Sequence, residues 1–134
     1  VKAIIGWSRS LIEKKHPMAL QFRFDRMVQA WDKGADPICR RAPCLVIAHS
    51  LKEDKMAGTD ATIALAHLEL AAPAFKLGAC WAGYVGIAAS MSPEVRAALE
   101  IPEDQACLGV MMLGYPVVNY QRPPKRKPAV TTFR

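Results

Sequence analysis

No apolar run in this 134-residue chain is long enough to span a bilayer: the longest, Ala61 to Phe75, is interrupted by His67, Glu69 and Pro73, against the ~20 uninterrupted residues a membrane helix needs. No Cys-x-x-Cys pair occurs among Cys39, Cys44, Cys80 and Cys107, which excludes a zinc ribbon or a cluster-binding run within the sequence. There is no signal-peptide pattern at the start, and the cysteine usage points to a reducing compartment, the cytoplasm. Cys44 and Cys107 stand in apolar runs and read as buried thiols. There are no internal repeats and no acid/base triad. The first residue is Val, not Met, and falls in a helical pattern, so the sequence is expected to begin inside a longer gene product.

Acid is missing from one end. Residues 121–134 hold Arg122, Lys125, Arg126, Lys127 and Arg134 with no Asp or Glu, whereas the whole chain is only +6. The body is therefore nearly neutral and the basicity sits in one tail. A general nucleic-acid binder spreads its basic residues over a face or helix, and here only Tyr120 and Phe133 flank the charges as stacking platforms. A local cluster fits one compact anion, such as a phosphate; a solvated, flexible terminus is the plainer structural reading.

What is present is enough for one core. Hydrophobic residues make up 51% and charged residues 22%, ordinary for a folded domain. Val1, Ile4, Ile5, Leu11 and Ile12 predict a helix over 1–15, stopped near His16 by Pro17. Leu20, Phe24, Met27, Val28 and Trp31 predict a second helix over 18–32, with Gly34 as its breaker. Asp36 to Pro43 reads as a loop held by two prolines. Cys44 to Ala48 predicts a strand covered on both faces, followed by a charged surface loop from Leu51 to Gly58 in which Glu53 and Asp54 are solvated. Asp60 is the expected N-cap of a helix that has almost no polar face and ends near Pro73; such a helix belongs at the centre or in a subunit interface. Ala79 to Tyr84 predicts a second strand, Ser92-Pro93-Glu94 a short capped helix, and Leu108 to Leu113 a third strand. From Pro116 the chain carries four prolines and is expected to be extended, with Val130-Thr131-Thr132-Phe133 able to add a strand to another sheet edge. The order implies an α/β or α+β sandwich.

Residues 76–84, Lys-Leu-Gly-Ala-Cys-Trp-Ala-Gly-Tyr, are the most informative stretch. Small residues flank one large flat side chain, and glycine lets backbone approach a ligand closely. A tight helix-to-strand turn around a buried Trp is the plain reading. The context adds to it: Arg41-Ala42-Pro43 before the first strand, His49 at that strand's end, Asp60 opening the helix through Pro73, then Leu77 to Tyr84, Ile101-Pro102-Glu103-Asp104 and Leu113-Gly114-Tyr115-Pro116. This ordered series, over residues 36–128, resembles the C-terminal part of the nitroreductase family of flavoproteins. It looks most like the branch often fused to a 4Fe-4S ferredoxin segment.

The resemblance implies a nitroreductase-like fold, with a central, mostly antiparallel sheet flanked by helices, N-terminally truncated. It implies one domain over 1–134, with 116–134 an extended basic tail. It further implies a homodimer holding FMN at the subunit interface. Position by position, Cys80, Trp81, Ala82 and Gly83 would line the flavin ring, with a backbone amide on its N5 or O4 edge. Many relatives outside this branch carry Glu where this chain has Ala82, so only backbone can serve there. Arg126, with Lys125 second and Lys127 third, would contact the FMN phosphate. NAD(P)H would be the donor and a nitroaromatic, quinone or similar small molecule the acceptor. No catalytic side chain, metal, nucleic acid or membrane is implied. His49 and His67 read as structural, and Glu69 is placed to bond backbone groups freed by Pro73. The family's Arg-rich N-terminal phosphate grip is not recognisable before residue 36. The alternative is therefore a non-catalytic α/β dimerisation fragment with an incomplete flavin site.

Overall fold

The computed structural model describes residues 1–118, 122, 125–128, 130 and 132. Three strands, β1 (Cys44–Leu51), β2 (Gly78–Trp81) and β3 (Gln105–Gly114), form an antiparallel sheet in the order β1-β3-β2. Its register pairs Cys44 with Leu113 and Trp81 with Met111, and a bulge interrupts β1 between Ala48 and His49. Central β3 is the longest strand and holds Val110, Met111 and Met112 buried. Among the described residues its two neighbours are edges. This explains why β1 is only partly covered rather than buried on both faces, and why Cys44 is exposed rather than a buried thiol. Cys107, on β3, is half-buried, and Cys39 is the buried thiol.

One face of the sheet packs on helix α5 (Gly83–Met91), and α1 (Lys2–Glu13), α3 (Phe24–Asp32) and α6 (Pro93–Ala98) close the same core around it. Ile4, Ile5, Phe24, Met27, Val85, Ala88, Val95, Val110 and Met112 make that core. The predicted single helix over 18–32 is two: α2 (Pro17–Gln21) and α3 meet at Arg23, which adopts φ 52° and ψ 46°. No glycine marks this turn. What holds it is tertiary: Phe24 is completely buried and stacks on Phe22 with ring centroids 6.0 Å apart. Leu20, expected on the apolar stripe, is left exposed by the break.

The opposite face is covered by α4 (Ala57–Ala71), whose Ala57, Ala61 and Leu65 form the buried line at helical spacing. The helix begins before Asp60, which lies in its first turn. The capping acceptor is Asp54, expected to be merely solvated: its Oδ1 accepts from Met56 N (3.0 Å) and Ala57 N (3.1 Å). Pro73 ends α4 in a short 3₁₀ turn (Ala72–Phe75), and Lys76 at φ 60° closes it. Ser92 caps α6 as expected, its Oγ accepting from Val95 N at 3.3 Å.

The strand expected over 79–84 ends at Trp81, and α5 starts at Gly83. The sequence Gly83-Tyr84-Val85-Gly86-Ile87-Ala88-Ala89 has two glycines and little amphipathic pattern. Its helix forms because Val85, Ala88 and Ala89 are buried, which stabilises a short helix more than propensity does. The described residues of the expected extended tail have no helix or strand; Thr131 and Phe133, in the expected added strand, lie outside the described residues.

Candidate functional site

At the end of β2 the chain turns directly into α5, and this junction borders a cavity of about 450 Å³. Cys80, Trp81, Ala82 and Gly83 all line it. Their atoms differ in what they offer. Ala82 is buried, and its N–H donates to Val110 O at 2.8 Å, extending the β2–β3 ladder by one bond. That amide is therefore committed within the fold. The N–H groups of Gly83 and Tyr84, in the first turn of α5, have no backbone acceptor among the described residues. Gly83 is exposed, and a Cβ there would meet nothing within 4 Å. The helix N-terminus adds a partial positive charge at the same spot.

Trp81 is anchored. Its Nε1 donates to Glu69 Oε2 of α4 at 3.0 Å, so Glu69 serves the indole rather than the backbone near Pro73. Gly109 on β3 lies beneath the indole: a Cβ there would stand 3.6 Å from Trp81 Cζ3 and 2.6 Å from Leu65 Cδ1. Tyr84 is held similarly, its hydroxyl donating to Phe22 O at 3.0 Å, with its ring against Phe22 and Phe24.

The rest of the lining is supplied from elsewhere: Phe22 from the α2–α3 junction, Ile38 and Arg40 from the loop before β1, and Met112 from β3. Local sequence reading missed these because they converge only on folding; Arg41-Ala42-Pro43 was the nearest legible signal. A second cavity of about 400 Å³ adjoins the first, sharing Arg40, Cys80 and Met112 and continuing past Gly78 and Pro116. The loop that carries Arg40 is tied by Asp36. Partial burial pushes the Asp36 carboxyl up, but the N–H groups of Arg41, Cys39 and Ile38 outweigh it and hold the group below its ordinary value. Cys39 is pushed up by burial, with the Asp36 charge adding to it, so its thiol stays protonated near neutrality.

Lys125 and Arg126 are exposed, and neither lines the cavity formed by Cys80, Trp81, Ala82 and Gly83. His49 bonds Gln105 across β1 and β3, and His67 is exposed on α4. Among the described residues no cluster of His, Cys, Asp and Glu is placed to hold a metal, and no helix is long and apolar enough to cross a membrane.

An antiparallel sheet covered by helices on both faces, with a strand-to-helix junction opening on an aromatic cavity, is an α+β architecture suited to a flat ligand. The sequence profile of the Nitroreductase family matches residues 7–115, and the chain belongs to that family. None of the curated proteins matches it. A nitroreductase from Bacteroides fragilis, solved with bound FMN, is similar at 25% identity and TM-score 0.61, over 79% of this chain and 60% of its own. An FMN-dependent nitroreductase from Clostridium difficile shares the fold at 21% identity and TM-score 0.50, over 63% of this chain and 52% of its own. The chain thus spans little more than half the length of these solved relatives.

Proposed function

We propose that the chain serves an FMN-dependent oxidoreductase of the nitroreductase type, passing electrons from NAD(P)H through FMN to nitroaromatic, quinone or similar acceptors. The observation that carries this is the cavity at the β2–α5 junction, in a chain of this family, with the amides of exposed Gly83 and Tyr84 lacking a backbone acceptor among the described residues. A flat ring laid on Cys80–Gly83 meets small residues and backbone. The Gly83 and Tyr84 N–H groups supply donors for an electron-rich ring edge, the role the resemblance gave to an amide here. Since Ala82 N is engaged with Val110 O, that role passes one residue on.

FMN, when bound, supplies the redox chemistry. The chain's own residues would hold, orient and shield it. Trp81, fixed by Glu69 and backed by Gly109, gives a rigid apolar wall. Phe22 and Tyr84, packed edge to face, add aromatic lining and would shield a bound ring from water. Arg126, with Lys125 beside it, would grip the phosphate, which arginine does through two parallel hydrogen bonds. The protein would act as a homodimer through the exposed side of α4, where Ile63 and Leu70 stand in solvent at 52% and 78% exposure. Four free thiols fit a reducing compartment, the cytoplasm. Within the family we place it in the branch often joined to a ferredoxin segment, since it carries Ala82 where many relatives outside that branch carry Glu.

Titration of the 134-residue chain with FMN, followed by flavin fluorescence, tests the proposal. Saturable binding at micromolar FMN or below, weakened about tenfold or more by Arg126→Ala, is the expected result. No binding would instead support a non-catalytic dimerisation module with an incomplete flavin site.

A further inference from the structure

Among the described residues, the cavity at the β2–α5 junction is lined by aromatic, aliphatic and small residues with one exception, Arg40. Among the described residues the ion pairs are Arg9 with Asp32 and Arg23 with Asp25, so no carboxylate neutralises Arg40. Its position is built. Arg40 and Arg41 both hold left-handed backbone, φ 52° and 59°, which residues with a Cβ rarely adopt. The Asp36 carboxylate fixes that shape by accepting from Ile38 N (3.1 Å), Cys39 N (2.9 Å) and Arg41 N (3.0 Å). Arg41 spends its side chain on Gly34 O at 3.2 Å. Arg40 lines the cavity and its neighbour, at their junction beside Cys80 and Met112. Backbone strain tied down next to a cavity is a mark of a functional position.

We propose that Arg40 is the anion-binding residue of this cavity, taking the oxyanion group of a planar aromatic ligand that lies against Cys80–Gly83. An apolar cavity with one placed cation selects a ligand with an apolar body and one negative group. Arg40 is exposed at the mouth of the cavity, and its guanidinium fork matches phosphate and carboxylate alike. This inference rests on the flavin reading for the identity of the ligand. The oxyanion belongs either to the phosphate of FMN, which Arg40 would then share with Arg126, or to a carboxylate on the aromatic electron acceptor.

Two matched pairs of probes separate these sources. FMN and riboflavin differ by the phosphate; 4-nitrobenzoate and 4-nitrobenzamide differ by the charge. Affinities of all four are measured calorimetrically for the wild-type chain, Arg40→Ala and Arg40→Lys, with near-ultraviolet circular dichroism to confirm folding. The expected result is a loss of about tenfold or more for the anionic member of one pair in Arg40→Ala, with its neutral partner unchanged. A loss for FMN alone assigns the phosphate; a loss for nitrobenzoate alone assigns the acceptor. Arg40→Lys keeps the charge without the fork, should give an intermediate loss, and carries the test if the alanine variant does not fold. Equal changes for charged and neutral members of both pairs overturn the proposal. If wild type binds neither flavin, the flavin reading falls, and the nitrobenzoate pair alone decides Arg40: no discrimination between its members, or none lost on substitution, overturns it.

Discussion

Gly109 shows how much one missing Cβ decides. It lets Leu65 of α4 and the Trp81 ring close onto β3, with a would-be Cβ 2.6 Å from Leu65 Cδ1. Leu65 is buried, so its Cδ1 can yield only by repacking against its neighbours. Gly109→Ala should therefore cost about 1–3 kcal/mol of stability by overpacking, read as a lower urea midpoint, and should shift the tryptophan emission because Trp81 moves with Leu65. Asp36 gives a second test at this scale. Its carboxyl titrates lower in the folded chain than the ordinary 3.8, because the three N–H bonds outweigh burial. A lowered carboxyl contributes stability that is complete above the unfolded value and is lost as pH falls through the folded one. Asp36→Asn should be less stable than wild type at pH 7, and the gap should close below about pH 4. A constant gap from pH 7 to pH 2.5 in acid unfolding followed by circular dichroism would refute this. The residue scale was also the least legible in sequence. Arg40, Phe22 and Met112 carry no local pattern that marks them, since their neighbours in space are distant in the chain. Cys80 to Gly83 were legible because one short segment contains them all.

Elements were legible where their signals are local. Ser92-Pro93-Glu94 started α6 as expected, since the cap, the proline and the acid all act within one turn. Ser92→Ala should cost about 1 kcal/mol, measured by urea unfolding. Asp54→Ala should cost a similar amount by freeing the first amides of α4, though Asp60 is the more conspicuous candidate in sequence. Strands β1 and β3 and helix α4 were evident from continuous hydrophobic runs. Two elements were not. The break at Arg23 uses a left-handed arginine where a glycine would have announced it, and burial of Phe24 holds it there. Helix α5 has two glycines, and its buried alanines show no strong moment to read. In both places packing overrides propensity.

At the scale of the molecule, α4 has one side on the sheet and leaves Ile63, Leu70 and the neighbouring Phe75 exposed. A second copy laid on that side would cover them, which is the basis of the proposed homodimer. Leu70→Asp should shift sedimentation toward the monomer and make thermal stability independent of protein concentration. Unchanged sedimentation of a folded Leu70→Asp chain would place the contact elsewhere. Composition, the order of apolar runs and the series from Arg41-Ala42-Pro43 to Leu113-Gly114-Tyr115-Pro116 determined the α+β class and the family, because these are properties of neighbours along the chain. Tertiary structure alone decided that Ala82 spends its amide on β3, that Gly83 and Tyr84 keep theirs, and that Arg40 stands as the charge of the cavity. Hydrogen-bond partners and cavity walls are set by groups that meet only when the sheet closes and the helices pack on it.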